Sequence, residues 1–182
     1  MGEILIRRPL VTDIGELHGF FRTVIEDTFA KNGLADLVHD IEGEIEGKKK
    51  CLKSDFDSKG EERYFLLGID SESNKIIGSI EYGPAREIVV KETNGELKDV
   101  VEVGTVFVLP DYQKNGIGTL MWNEVLRTLS NRGIHEFCLD SGYTTAQKIW
   151  GRKFGMPDYL LKDYWGEGHD HMIWRRTIKS MD

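Results

Sequence analysis

The sequence has few of the residues that build cross-linked, membrane-embedded or nucleic-acid-binding proteins. Its 182 residues include two cysteines, Cys51 and Cys138, too few for a disulfide framework and not arranged as a CxxC motif. No apolar run approaches the length of a membrane span, since the longest, 64–69, is interrupted by Gly68. With 24 basic and 31 acidic side chains, the formal charge of −7 offers no broad positive field to nucleic acid. We therefore expect neither a membrane nor a nucleic acid among its partners.

The first residues lack a charged head followed by an apolar stretch, so we expect no signal peptide. Together with the low cysteine content, this predicts a cytoplasmic protein. Cys138 stands in an apolar stretch and is predicted to be a buried, inert thiol. The length suits a single domain over 1–182.

Hydrophobic periodicity predicts strands and helices that alternate along the chain. The predicted strands are 4–8, 63–70, 76–82, 100–109, 134–139 and 171–178, the last pairing after a hairpin over 159–165. Four helices are predicted. The first begins at Asp13, with Glu16 as its capping partner, and the second follows the apolar positions Leu34 to Ile45. The third covers 116–131 and ends at Gly133, and the fourth runs from Thr144 or Thr145 to Phe154. The segment 53–62 is predicted to be a polar loop, and 84–99 an excursion with a turn. This order predicts an α/β (α+β) fold with a mixed, mostly antiparallel sheet and helices on both faces.

The segment after the predicted strand 100–109 points to chemistry. Pro110 ends that strand, and Gln113-x-x-Gly116-x-Gly118 opens an amphipathic helix. Amide groups at a helix start lack helical acceptors and lie at the positive end of the helix dipole. Glycines let an anion approach the backbone, and Lys114 adds a positive charge, so the segment predicts a pyrophosphate-binding loop. The spacing matches neither the P-loop nor the dinucleotide fingerprint, and a tight turn without a ligand is the other interpretation.

The stretch 108–118, Val-Leu-Pro-Asp-Tyr-Gln-Lys-Asn-Gly-Ile-Gly, resembles the acetyl-CoA-binding signature of the GNAT superfamily of N-acetyltransferases. That signature is an apolar strand, often V-x-P-x-[YW], followed by [QR]-x-x-G-x-[GA] and an amphipathic helix. The first strand and Ile77-Gly78 are weaker similarities, and the predicted element order is similar to the family fold over nearly the whole chain. The resemblance implies a GNAT-like sheet in which the strand before the loop splays from 134–139, leaving a V-shaped opening for CoA.

The resemblance implies acetyl-CoA as the co-substrate and no metal. The residues that would hold its pyrophosphate through the backbone are Gln113, Lys114, Asn115, Gly116, Ile117, Gly118 and Thr119. Free backbone groups at Phe107 and Val108 would bind the pantetheine arm, and the Val108 N–H would polarise the thioester carbonyl. Trp150 would pack in the core or beside the pantetheine. The implied reaction is a direct attack by a primary amine in a ternary complex.

The attacking amine must lose a proton, so a general base is expected. Glu102 lies eleven residues before Gln113 on the same strand, as a glutamate does in some members of the family. Glu81 on the preceding strand is the second candidate. Side-chain alternation places Glu102, Gly104 and Val106 on one face, unless a bulge near Val106 intervenes. For both glutamates the other interpretation is a solvated strand residue.

The residue at the position of the expected general acid differs from the family pattern. Where relatives carry A-x-x-[FL]-Y-x-x-x-G-F, the tyrosine position holds Trp150 or Gly151, and neither donates a useful proton. Tyr143, just before the helix, is the candidate substitute, and water can also protonate a thiolate. The departure favours, as an alternative, an acyl-CoA-binding or sensing module with little or no turnover. A structural domain without a cofactor is the third hypothesis.

The acceptor is left open by the sequence. The acidic balance suits a cationic small-molecule or peptide amine, such as a polyamine, an aminoglycoside or a lysine-bearing peptide. The first helices carry Phe20, Phe21, Phe29 and Phe56, with Glu26, Asp27 or Asp36 to attract an ammonium group. His169-x-His171 lacks a third ligand, which favours packed or exposed histidines over a metal site. A homodimer is compatible with a sequence that gives no sign of the oligomeric state.

Overall fold

The computed structural model describes residues 2–178. Its strands are β1 (Ile4–Arg7), β2 (Tyr64–Asp70), β3 (Lys75–Pro84), β4 (Val101–Val108), β5 (Glu136–Ser141), β6 (Tyr159–Leu161) and β7 (His171–Thr177). Its helices are α1 (Ile14–Lys31), α2 (Val38–Ser58), α3 (Glu87–Glu92), α4 (Ile117–Asn131) and α5 (Thr144–Phe154), with 3-10 turns at Val11–Asp13 and Pro110–Tyr112. The strand order of the seven-stranded sheet is β1-β2-β3-β4-β5-β7-β6. This mixed, mostly antiparallel sheet with its helices confirms the predicted fold class.

The chain forms two compact units, which we describe separately. The first comprises the residues up to Tyr82 together with Thr105–Thr128, and the second comprises Gly83–Gly104 together with the residues from Leu129 onward. A single domain over 1–182 stays a prediction. Within residues 2–178, no helix is both long and apolar enough to cross a membrane.

In the first unit, β1, β2 and β3 form an antiparallel ladder. Gly68 and Gly78 lie opposite each other in the register of β2 and β3. A methyl group on Gly78 would stand 2.6 Å from Cε of Met121, a buried residue of α4. The two glycines therefore allow the first turns of α4 to lie close to the sheet, and this fixes the start of the helix that follows the candidate loop.

The helix α2 extends further than the sequence predicted. It continues to Ser58, so the predicted loop over 53–62 is wrong for its first six residues. The reason is Asp55, whose fully buried carboxylate accepts from Arg8 Nη1 and Nη2 at 2.5 and 2.9 Å and from the Phe65 amide at 2.7 Å. These distant partners allow a charged residue to occupy the buried face of the helix.

The start of α1 also differs from the prediction. Asp13 precedes the helix without capping it, because its carboxylate accepts from Arg7 Nη1 and the Leu10 amide, both at 2.7 Å. The Arg7 guanidinium accordingly lowers the pKa of Asp13. Glu16 is not a capping partner, since its carboxylate accepts the amide of Ile76 at 2.7 Å.

In the second unit, β7 lies between β5 and β6 and is antiparallel to both, which confirms the C-terminal hairpin. The first residues of β4 run parallel to β5, with Val101 opposite Phe137 and Glu102 opposite Cys138. The V-shaped opening stays a prediction. The excursion 84–99 contains α3, which the sequence analysis missed. Its Val89 packs in a core with Cys138, whose thiol pKa is raised by burial, as expected for an inert cysteine.

Candidate functional site

The predicted loop joins β4 to α4. Two of its residues adopt the left-handed backbone conformation just before the helix begins. Lys114 has φ +65° and Gly116 has φ +77°, with Asn115 between them. The first backbone bond of the helix runs from the Leu120 amide to the Gly116 carbonyl at 3.0 Å. The amides of 117–119 lie ahead of that bond, at the positive end of α4. Left-handed turns of this kind present successive amides to one anion, so the geometry suits a phosphate group.

The side chain of Gln113 holds this loop in place. Its Nε2 donates to the Val108 carbonyl at 3.1 Å, and its Oε1 accepts from Lys31 Nζ at 3.1 Å. The Val108 carbonyl therefore already accepts one hydrogen bond, and the binding of a pantetheine arm at Phe107 and Val108 stays a prediction. Asn115 Nδ2 adds bonds to the Tyr112 and Gln113 carbonyls at 3.2 and 3.3 Å. The two amide side chains shape the loop from within.

The space above the loop is open. Among residues 2–178, and apart from its chain neighbours, no atom lies within 4 Å of a methyl group placed on Gly116, and the nearest to one on Gly118 is Val108 Cγ2 at 3.9 Å. Lys114 and Thr119 are exposed, whereas the Ile117 side chain is buried in the core. Ile117, one of the predicted cofactor-binding residues, can therefore contact a ligand only through its backbone amide. Phe107 lies on β4 with its ring centroid 6.4 Å from that of Phe21.

Glu81 is a buried residue of β3 in the same unit as the loop. Its Oε2 accepts from Arg63 Nη1 at 2.6 Å, and its Oε1 accepts from Thr105 Oγ1 at 3.0 Å. Thr105 stands in β4 with φ +50°, a left-handed conformation that is rare for a β-branched residue. This irregularity lies one residue from Val106, where a bulge was expected. Glu81 is therefore not a solvated strand residue, and no pattern in the sequence pointed to Arg63 or Thr105 as its partners.

Glu102 is a buried residue of β4 in the second unit, so a solvated position is wrong here too. Its Oε2 accepts the Arg86 amide at 2.6 Å, and its Oε1 accepts from Arg86 Nε at 2.7 Å. Burial, assisted by the negative charge of Asp140, raises the pKa of Glu102 to about 7, and Arg86 opposes that rise. A carboxylate that changes protonation state near neutral pH is suited to remove a proton from an ammonium group.

Two residues close to Glu102, Arg86 and Asp140, were not predicted from the sequence to interact with it. Arg86 Nη2 donates to Asp140, and the second carboxylate oxygen of Asp140 lies 2.8 Å from His171 Nε2. His171 is buried, which agrees with a packed histidine. Among residues 2–178, no group of three or more His, Cys, Asp and Glu side chains could hold a metal ion.

The remaining candidates have mainly local contacts. Tyr143 is half-buried at the start of α5, and its amide donates to Ser141 Oγ at 3.1 Å. Trp150 stacks on Phe154 with ring centroids 6.0 Å apart, which is a packing contact. Its place beside a pantetheine arm and the acid role of Tyr143 stay predictions.

The acidic side chains of α1 already have basic partners. Arg22 Nη1 donates to Glu26 at 3.2 Å, and Lys31 Nζ donates to Asp27 at 2.6 Å. These ion pairs weaken the expectation that either carboxylate attracts an ammonium-bearing substrate.

Comparison with known proteins agrees with the fold. The family model described as "Acetyltransferase (GNAT) family" matches residues 32–156. The chain belongs to this family, and it is therefore an acyltransferase, as its sequence predicted. No curated protein matches the sequence.

Solved structures with the same fold include a GNAT-family protein of Desulfovibrio desulfuricans (14% identity, TM-score 0.72), covering 97% of this chain and 100% of the other. The PaiA N-acetyltransferase of Thermoplasma acidophilum, in complex with coenzyme A, has 16% identity and TM-score 0.68 over 96% and 99% of the two chains. The ribosomal-protein-alanine N-acetyltransferase of Brucella melitensis has 18% identity and TM-score 0.66 over 95% and 99%. Similarities at these identities establish the fold and leave the substrate open.

Proposed function

We propose that the protein transfers an acetyl group from acetyl-CoA to a primary amine by direct attack in a ternary complex. The observation that carries this proposal is the loop 113–119, in which two left-handed residues lead into the positive end of α4. The complex of the PaiA neighbour with coenzyme A supports the choice of donor. The amides of this loop bind the pyrophosphate, and Lys114 adds a mobile positive charge.

The acetyl group is placed by backbone groups of β4. The pantetheine arm binds at Phe107 and Val108, and the Val108 N–H donates to the thioester carbonyl. As the amine attacks, that carbonyl oxygen gains negative charge, which the N–H stabilises. The C–N bond forms as the C–S bond breaks, and the CoA thiolate then takes a proton from water or Tyr143.

Glu102 is the proposed general base, and Glu81 is the second candidate. Glu102 has a pKa of about 7, so it is largely ionised in mildly alkaline solution and still basic enough to accept a proton. Glu81 accepts from Arg63 at 2.6 Å and from Thr105 at 3.0 Å, and Glu102 accepts twice from Arg86, so these contacts do not separate the two candidates. The raised pKa of Glu102 is the observation that favours it.

The acceptor is proposed to be a small-molecule or peptide amine. Structural neighbours include ribosomal-protein-alanine acetyltransferases and an aminoglycoside 6'-acetyltransferase. The net charge of −7 suits an amine that arrives as a cation. Mass spectrometry of products formed from a metabolite extract and from peptide libraries would identify the acceptor.

A matched pair of glycine variants tests the donor site. Gly116 and Gly133 have φ of +77° and +71°, and a methyl group on either would have no described residue within 4 Å apart from its chain neighbours. An alanine at each site should cost a similar 1–2 kcal/mol of folding stability, because both adopt the left-handed conformation. Gly116→Ala should also weaken CoA binding about tenfold in titration calorimetry, since a loss of ~1.4 kcal/mol corresponds to that factor. Equal CoA affinity in the two variants would refute the proposed pyrophosphate site.

Turnover separates an enzyme from a binding module. CoA release is measured with a panel of amines for the wild type, Glu102→Gln and Glu81→Gln. We expect Glu102→Gln to lower kcat by about 10²-fold or more with little change in CoA affinity, because a positioned base contributes on this scale. Tight CoA binding without turnover of any amine would favour the acyl-CoA-sensing alternative, and no thermal shift with acetyl-CoA would favour a structural domain.

A further inference from the structure

A continuous chain of hydrogen bonds leads from Glu102 to the surface within the second unit. Arg86 donates to Glu102 from its amide and Nε, and donates to Asp140 from Nη2. The other oxygen of Asp140 meets His171 Nε2 at 2.8 Å, and His171 Nδ1 meets Trp165 Nε1 at 3.1 Å. Glu102, Asp140 and His171 have nearly inaccessible side chains, whereas 58% of Trp165 is exposed.

The end of this chain fixes the tautomer of His171. An indole N–H can only donate a hydrogen bond, so Nδ1 of His171 must carry a lone pair to accept from Trp165. The proton of the neutral ring is therefore on Nε2, where it is donated to Asp140. Asp140 then accepts from both His171 and Arg86, which stabilises its ionised form.

The charges of the group do not balance when both carboxyl groups are ionised. Glu102 and Asp140 then carry two negative charges against the single positive charge of Arg86, with His171 neutral. Each carboxylate accepts two hydrogen bonds, but both donors of Glu102 belong to Arg86, whose single positive charge Glu102 shares with Asp140. The arrangement thus keeps a like charge beside Glu102 that makes its carboxylate more basic.

Two other titratable groups close to these residues, Cys138 and Tyr164, stay neutral near pH 7. Cys138 lies opposite Glu102 in the register, and burial raises the pKa of its thiol, which keeps it neutral. The Tyr164 ring lies 5.8 Å from the His171 ring, and its hydroxyl donates to Glu92 at 3.2 Å. That bond and desolvation raise the pKa of Tyr164, so the phenol also stays neutral near pH 7.

We propose that Asp140 and His171 are positioning residues for acetyl transfer: through Arg86 they hold the Glu102 carboxylate and set the pH at which it releases its proton. The inference rests on the proposed role of Glu102 as the base. Trp165 completes the arrangement from the surface, because its indole N–H donates to Nδ1 of His171 and orients the ring. Neither Asp140 nor His171 needs to touch substrate for this role.

The test measures the titration of Glu102 directly in the full-length protein. Carboxyl ¹³C shifts of glutamate-labelled protein are followed against pH, and the signal lost in Glu102→Gln assigns the residue. We expect Asp140→Asn to lower the midpoint by about one pH unit or more, because a like charge is removed. Trp165→Phe should lower it as well, since the His171 ring is then no longer held in the tautomer that donates to Asp140. Asp158→Asn is the matched control, because Asp158 pairs with Arg176 rather than Arg86.

The acidic limb of the kcat/KM profile is measured for the same variants. The inference predicts that this limb moves with the NMR midpoint and stays unchanged in Asp158→Asn. A folded Asp140→Asn protein whose Glu102 midpoint equals that of the wild type would overturn the inference, whatever its activity. If the midpoint moves while the rate profile does not, Glu102 is not the base, and the proposed function fails at that step while the link from Asp140 to Glu102 stands.

Discussion

Replacing Asp55 by alanine should destabilise the first unit strongly. The side chain of Asp55 is fully buried, and its carboxylate accepts hydrogen bonds from Nη1 and Nη2 of Arg8 and from the Phe65 amide. The substitution leaves that amide without its acceptor and leaves Arg8 without its counter-charge. Arg8 keeps its bond to the Phe65 carbonyl at 3.0 Å and its position 4.1 Å from the Tyr64 ring centroid, so its side chain has little freedom to move toward water.

The magnitude follows from the burial of the two partners. Removing one member of a buried ion pair costs about 3–5 kcal/mol, a range that includes the unsatisfied amide. Arg8 is 31% exposed in its side chain, so water compensates part of its charge and we expect about 4 kcal/mol. Asp55→Asn keeps one oxygen acceptor for the Phe65 amide and should lose about half as much, ~2 kcal/mol.

Urea denaturation followed by tryptophan fluorescence and circular dichroism measures these losses. With a urea m-value of about 2 kcal/mol/M, the midpoint of Asp55→Ala should fall by roughly 2 M. Asp57→Ala is the control on the same helix, because Asp57 is exposed and paired with Lys53, and it should lose less than about 0.5 kcal/mol. If Asp55→Ala and Asp55→Asn both unfolded at the midpoint of Asp57→Ala, the buried pair would not stabilise the fold as argued.

Three further predictions follow from single residues. Lys59→Gly should raise the free energy of unfolding by about 1 kcal/mol, since Lys59 ends α2 with φ +52° and glycine adopts this conformation without steric cost; an unchanged urea midpoint would contradict this. Because folding raises the pKa of Glu102 from 4.5 to about 7, its contribution to stability is fully present below pH 4.5 and is lost as the pH rises through 7. The stability of the wild type should therefore fall relative to Glu102→Gln across this interval, and parallel denaturation curves at pH 4.5 and 8 would refute the shift. Thr105→Val should lower stability by about 1–2 kcal/mol, because Glu81 loses a hydroxyl donor at 3.0 Å, and an unchanged midpoint of thermal unfolding would contradict this.

Local patterns predicted most of the elements. The apolar stripe and terminal glycine of 116–131 correspond to α4, and the alternation before and after the turn at 71–75 corresponds to β2 and β3. The loop 113–119 could also be predicted, because its glycines and helix start are adjacent in sequence. Such features depend on residues within one or two turns of each other, which is the range that periodicity reports.

The buried charge pairs could not be predicted in the same way. Asp55 was assigned to a polar loop because its partner Arg8 lies 47 positions away, and only the fold brings them together. The partners of Glu102 were missed for the same reason, since Arg86 and Asp140 lie on separate elements. A charged residue looks solvated in a sequence unless its partner is nearby, so the environment of both glutamates required the structure.

The bonds of Gln113 have a consequence for how quickly the proposed donor site would capture CoA. By joining the Val108 carbonyl and Lys31, this side chain shapes the turn in the absence of a ligand. In the proposed function, the encounter with CoA therefore involves little ordering of the backbone, which lowers the entropic penalty of association. Removing these hydrogen bonds, as in Gln113→Ala, should lower the association rate constant for CoA as well as raise the dissociation rate constant. Loss of a ligand contact alone would not lower the association rate.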